Sequence, residues 1–270
     1  MPKHLIAGAL AGLCLSVSAA QAETICTLIA SPSAQDTIYE VGDCDRRVTP
    51  ASTFKVALSL MAFHDGVLLD AHTPTLPYQS TYPDWGGENW RQATDPDRWM
   101  TYSVVWFSRQ ITPLLGLDRM TELAQGMGYG NADFSGDFGQ NNALERAWMT
   151  SSLLISPREQ VAFLSRMIQN DLPISGEAVA QTIEIMDYTD TPGGWRIYGK
   201  TGSAYPRMES GAFDYAQGWG WYVGWATNGD STLVFAHLTQ DETRHQTSPG
   251  VRAREAFLDG FESLANGALQ

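Results

Sequence analysis

Cysteine is scarce in this chain of 270 residues: three are present, Cys14, Cys26 and Cys44, and no two form a C-x-x-C pair. The five histidines (His4, His64, His72, His237 and His245) are scattered, with no H-x-x-x-H spacing, so no zinc-ligand pattern exists and no metal is expected. No G-x-S-x-G run occurs, which speaks against an α/β-hydrolase nucleophile elbow. Gly126-Met127-Gly128-Tyr129-Gly130 is glycine-rich but follows no strand pattern, so it is not read as a phosphate cradle. Positive charge is also short: 17 basic residues face 30 acidic ones, for a net charge of −13. That balance suits neither nucleic acid nor an anionic membrane surface. No internal repeat, low-complexity tract or long linker breaks the chain.

No apolar run reaches the roughly 20 residues that a transmembrane helix needs. The nearest, Leu5 to Ala20, follows Lys3 and ends in Ala20-Gln21-Ala22, the layout of a cleavable secretory signal over residues 1–22. A periplasmic or secreted product starting at Glu23 is expected, without a membrane anchor after cleavage. Cys26 and Cys44 then remain, and an even count in an oxidising compartment predicts one disulfide. It would close a loop of about 19 residues, worth on the order of 3 kcal/mol in the chain-entropy description. Two buried free thiols are the alternative.

What is present argues for a folded domain: 43% hydrophobic residues and nine tryptophans. Thr24–Ala30 and Thr37–Val41 read as an N-terminal hairpin. Helical periodicity dominates from Ser52 to about Tyr188. Leu117, Met120, Leu123, Ala124 and Met127 share one face, and Ser156-Pro157-Arg158-Glu159 is a capping box before Val161, Leu164 and Ile168. Trp195–Tyr198, Trp219–Ala226 and Thr232–Leu238 are β-rich, with Asn228-Gly229 as a hairpin turn, and Ser248-Pro249 opens a final helix. The glycine–aromatic alternation in Trp219–Trp225 reads as a packed strand rather than a sugar-binding platform. The prediction is a mixed α/β (α+β) domain over residues 23–270. One antiparallel sheet is built from both chain ends (about 23–56 and 187–270) with flanking terminal helices, and an inserted helical lobe spans about 57–186.

The chemistry-bearing motifs lie along this frame. In Thr49-Pro50-Ala51-Ser52-Thr53-Phe54-Lys55, Thr49 suits an N-cap and Pro50 the first helical position, which stacks Ser52 and Lys55 on one face. A hydroxyl becomes a nucleophile when a base stands within hydrogen-bond reach. Ser103-Val104-Val105 places a second hydroxyl in an apolar setting. Tyr129-Gly130-Asn131 is a glycine turn after a helix, Trp148 precedes the capping box, and Lys200-Thr201-Gly202-Ser203 follows a short strand. Taken singly, each has an ordinary structural explanation.

Taken in order, S-x-x-K, S-x-V, Y-G-N and K-T-G resemble the penicillin-recognising serine enzymes, and within them the class D β-lactamases (oxacillinases); class A enzymes carry S-D-N instead of S-x-V. The resemblance spans residues 25 to about 262. It implies that Ser52 is acylated and that Lys55 carries carbon dioxide as a carbamate serving as general base. Phe54 and Trp148 would support that group. Ser103 would pass a proton to the lactam nitrogen, with Lys200 orienting it. Thr201 and Arg252 would bind the substrate carboxylate, with Arg244 and Arg254 as nearby alternatives to Arg252. Val105, Gly202 and Ser203 would line the substrate, and the backbone N–H groups of Ser52 and Ser203 would form the oxyanion hole. Tyr129, Gly130 and Asn131 would shape the cleft. The implied partners are small β-lactams, with no cofactor beyond carbon dioxide or bicarbonate, in a monomer or weak homodimer. A penicillin-binding peptidase and a non-hydrolytic β-lactam sensor are the competing readings.

Overall fold

The computed structural model describes residues 22–32 and 36–268, so the predicted leader lies outside the described residues except for Ala22. Six strands form one antiparallel sheet in the order β2-β1-β6-β5-β4-β3. They are β1 Glu23–Ala30, β2 Thr37–Gly42, β3 Tyr188–Asp190, β4 Arg196–Ala204, β5 Trp219–Asn228 and β6 Ser231–Gln240. The two chain ends meet where β1 pairs with β6, Leu28 opposite Ala236. The two-residue turn Gly229-Asp230 joins β5 to β6, one residue later than the expected Asn228-Gly229 because Asn228 still pairs with Ser231; Gly229 is at φ 56°, a conformation that glycine adopts without steric cost.

Both faces of the sheet are covered. Trp221, Val223 and Trp225 of β5, with Val234, Ala236 and Leu238 of β6, pack on the helical lobe. The alternate residues Tyr222, Ala226, Leu233 and Phe235 pack against Phe257, Phe261 and Ala265 of the last helix, which share one of its faces. Covering both faces is why these strands read as nearly continuous apolar runs. Cys26 and Cys44 are joined as a disulfide, fastening β1 to the segment that leads toward the S-x-x-K motif.

The helices are α1 Phe54–His64, α2 Pro96–Thr101, α3 Val105–Leu115, α4 Leu117–Met127, α5 Ala143–Arg146, α6 Pro157–Ile168, α7 Gly176–Glu184 and α8 Pro249–Ala268. The capping box at Ser156 forms as expected, and Gly128 ends α4 at φ 67°. Every residue of α1 from Phe54 to Phe63 is buried, which makes it the axis of the lobe.

Three expectations need correction. Thr49 does not cap a helix. Its hydroxyl donates to the Trp148 carbonyl (2.8 Å) and accepts from the Thr150 N–H (3.0 Å), and a 3-10 turn over Ala51–Thr53 precedes α1. The K-T-G motif lies within strand β4, not after it, because β5 pairs with β4 all the way from Arg196 to Ala204. The lobe is also less helical than its periodicity indicated, since residues 65–86 run as turns and isolated bridges.

One buried group ties the fold to pH. His237 on β6 shares a 2.7 Å hydrogen bond through Nδ1 with Thr27 of β1, while Nε2 is buried without a partner. Burial pushes its pKa down to about 4 from 6.5. The unfolded chain binds a proton near pH 6.5 that the folded chain refuses until about pH 4, so stability falls as pH drops through that window. The loss attributable to this group is about 3 kcal/mol. His237→Gln should flatten that part of the dependence; urea midpoints at pH 7 and pH 4.5 check it, and an unchanged slope would contradict it.

Candidate active site

The 3-10 turn puts Ser52, half-buried, at the N-terminal end of α1, after Ala51 at φ 50°, a strained conformation for a residue with a side chain. One turn on, the Lys55 Nζ donates to the Ser52 Oγ at 3.4 Å. Lys55 is 1% exposed. Desolvation first, and the positive charge of Lys200 second, hold its amine well below the ordinary lysine range. The strongest influences on this amine thus all disfavour charge, and no carboxylate is among them. A neutral, desolvated amine is the form that takes up carbon dioxide, so this pocket fits the implied carbamate.

The surroundings are built for dryness. The Phe54 ring stacks on Trp148 at 5.4 Å and meets Tyr129 at 5.7 Å and Phe134 at 5.6 Å. Val105, at the start of α3, is also buried. Thr49 clamps the Trp148 backbone and through its carbonyl accepts the Trp221 indole N–H at 2.9 Å, linking this pocket to β5. Buried Gln160 donates to the Thr53 hydroxyl at 2.9 Å and steadies the turn beneath Ser52.

The second hydroxyl-lysine pair faces the first. Ser103 sits at φ 56° in the turn between α2 and α3, and the Lys200 Nζ donates to its Oγ at 3.1 Å and to the Thr201 carbonyl at 3.2 Å. Lys200 is 5% exposed, and burial lowers its pKa to about 8. Gly202 lets β4 cross the nucleophile turn, since a Cβ there would lie 2.8 Å from the Pro50 carbonyl oxygen. Strand β3 pairs with β4 only over Arg196–Tyr198, leaving Lys200–Ala204 with one open backbone edge along the cleft.

The remaining predicted residues divide by distance from this centre. The Ser203 Oγ accepts the Gly250 N–H at 2.9 Å, bringing the start of α8 to the end of the K-T-G strand. Arg252, two residues on, donates to the Asp241 carboxylate and the Thr247 carbonyl; Asp241 is almost wholly buried. Arg244 instead lies over the exposed Tyr215 ring, and Arg254 faces a chamber behind Lys200. Gly130, at φ 56°, packs against Leu154, and the Asn131 side chain donates to the Ser152 carbonyl and accepts the Leu154 N–H. That motif pins the segment after Trp148 and touches no reacting group. Gln160 and Asp241 went unnoticed in the sequence, and Thr49 was read only as a helix cap, because each acts through a partner distant along the chain.

A buried hydroxyl-amine pair beside a second one, under the open edge of an antiparallel sheet, defines a serine acyltransferase site of the penicillin-recognising kind. Residues 15–259 match the family described as penicillin binding protein transpeptidase domain. Beta-lactamase OXA-9 of Klebsiella pneumoniae is 38% identical over 90% of this chain and 89% of its own length. Beta-lactamase OXA-1 of Escherichia coli is 40% identical over 65% of this chain and 62% of its own. The crystal structure of the OXA-427 class D β-lactamase superposes with a TM-score of 0.83 at 38% identity, over 90% of this chain and 99% of that one. The chain belongs to the penicillin-binding transpeptidase-domain family, as a class D β-lactamase.

Proposed function

We propose that this protein hydrolyses the β-lactam ring of penicillin-type antibiotics through an acyl-enzyme on Ser52, conferring resistance on its host. The single observation that carries the reading is Lys55: a buried amine 3.4 Å from the nucleophile, stripped of charge by its surroundings. Carbon dioxide held on that amine as a carbamate supplies a general base beside Ser52 and, later, beside the hydrolytic water. Phe54, Val105 and Trp148 keep bulk water from it.

The Ser52 Oγ loses its proton and bonds to the lactam carbonyl carbon. The carbon–nitrogen bond then breaks, and the Ser103 hydroxyl gives its proton to the departing nitrogen and recovers, by relay, the proton that left Ser52. Lys200 holds Ser103 in place and adds positive potential over the cleft. The backbone N–H groups of Ser52 and Ser203 receive the oxyanion. Thr201 and Arg252 bind the substrate carboxylate; the link from Gly250 to Ser203 favours Arg252 over Arg244 and Arg254, and Asp241 aims its guanidinium. Water then cleaves the ester, releasing the ring-opened acid and the free serine.

The leader over residues 1–22, export to the periplasm and a monomeric or weakly dimeric state belong to this proposal. No described helix is long and apolar enough to cross a membrane.

A steady-state substrate panel with and without bicarbonate tests the reading. Protonating the Lys55 amine as pH falls removes the form that binds carbon dioxide, so turnover should drop at mildly acidic pH and recover with added bicarbonate. Indifference to bicarbonate across that range contradicts the carbamate. A single stoichiometric burst with a chromogenic cephalosporin, without turnover, would instead identify a penicillin-binding peptidase or sensor.

A further inference from the structure

Lys200 is a buried cation whose hydrogen bonds both go to neutral oxygens, Ser103 Oγ and the Thr201 carbonyl. A buried ammonium without an opposing charge is costly, so its charge must be balanced from somewhere. At the edge of strand β4 where its pairing with β3 ends lies a polar chamber of about 60 Å3, large enough for a few water molecules. Thr101, Asp187, Gly199, Lys200, Tyr222 and Arg254 line it. Asp187 is fixed there from two elements. The Thr101 hydroxyl of α2 donates to its carboxylate at 2.9 Å, and its own carbonyl accepts the Gly199 N–H of β4 at 3.3 Å. Arg254 enters from α8.

We propose that Asp187 and Arg254 are opposed positioning residues for the reaction, biasing the charge of Lys200 from this chamber in opposite directions and so governing how firmly Ser103 is held. The inference rests on the role given to Lys200 above. Every charged or titratable group facing Lys200 enters the balance. Lys55 of α1 is neutral as a free amine and adds negative charge on the cleft side once it carries the carbamate. Arg254 opposes the Lys200 charge from α8, and Asp187 favours it from the segment before β3. Tyr188 borders the chamber, and Tyr222 of β5, its phenol pushed up by burial, stays neutral. Asp187 is the one carboxylate residue lining the chamber, and it reaches Lys200 across that space rather than by direct contact.

The signs are separable. With Asp187→Asn the Lys200 ammonium loses its proton at lower pH, and with Arg254→Gln at higher pH, each by roughly half a pH unit for a charge acting across a hydrated gap. Two measurements on the full-length enzyme read this. The alkaline limb of kcat/KM should move down in Asp187→Asn, up in Arg254→Gln, and back toward wild type in the double variant. Asp187→Glu should restore the limb, which a merely structural contact would not require. Lysine Cε-labelled NMR follows Lys200 directly, because the chain has three lysines and only Lys55 and Lys200 lie among the described residues. Lys200→Arg assigns the signal. A Lys200 titration that moves in neither single variant overturns the inference. A titration that moves while the alkaline limb stays fixed upholds the charge balance and overturns instead the role given to Lys200 in turnover. Should Asp187→Asn fail to fold, the upward shift in Arg254→Gln decides alone.

Discussion

Lys55→Ala should lower turnover of a good penicillin on the order of a thousand-fold or more, the scale on which a general base contributes when it serves two successive steps. The substitution deletes a buried amine that makes no ion pair, so it leaves no orphaned carboxylate behind. The pocket wall of Phe54, Tyr129, Phe134 and Trp148 is held by its own ring contacts and by the Thr49 clamp, and should survive. Ser52 keeps its place on the 3-10 turn, because Gln160 and the Pro50 carbonyl restrain the neighbouring Thr53 rather than Lys55. Slow acylation should therefore persist while deacylation stops. Intact mass spectrometry after incubation with benzylpenicillin would show a lasting adduct on Ser52. Turnover at the wild-type rate would remove Lys55 from the role of base.

Trp148→Ala should impair release of the acyl group about a hundred-fold and its formation much less. Its ring is 1% exposed and stacked on Phe54, so truncation opens the lysine pocket to water on that side. Hydration lets the Lys55 amine take a proton at higher pH, which works against carbon dioxide uptake. Truncating a buried tryptophan also costs about 3–5 kcal/mol of fold stability, which by itself would lower the amount of active protein. Trp148→Phe separates the effects, because it keeps most of the volume and the stack while removing the indole N–H. Pre-steady-state kinetics on both variants, at low and saturating bicarbonate, distinguishes the outcomes. Equal losses in acylation and deacylation would contradict the supporting role. A Trp148→Phe enzyme indistinguishable from wild type would confine that role to packing.

The elements legible from sequence were those whose signals are local. The hairpins, the capping box at Ser156 and the apolar stripe of α4 depend on neighbours a few residues away, and all formed. The four ordered motifs located both hydroxyl-lysine pairs. Illegible were features set by contacts between distant segments. Thr49 has the right chemistry for an N-cap, yet its hydroxyl is taken by Trp148 and Thr150, some hundred residues on. The full length of β4 depends on β5 as template, since Gly199 and Gly202 argue against a strand when read alone. Strand β3 is exposed and too short to show a period, yet its shortness is what leaves the K-T-G edge open. Residues 65–86 form no helix, yet apolar side chains recur in them because they pack on the lobe, Tyr78 and Tyr82 against Trp106 of α3. Asp241 reads as one more surface acid until Arg252 is seen against it.

The burial of both described lysines has a practical consequence. Every basic side chain on the described surface is a guanidinium or an imidazole, so amine-selective acylating reagents and aldehydes meet no lysine there. Aside from Lys3 and the chain terminus, such a reagent can reach a primary amine only by way of the cleft beside Ser52 or the small chamber that Lys200 lines. Modification of this protein by an amine-directed probe would then report on entry into the active site, and a bound β-lactam should protect against it.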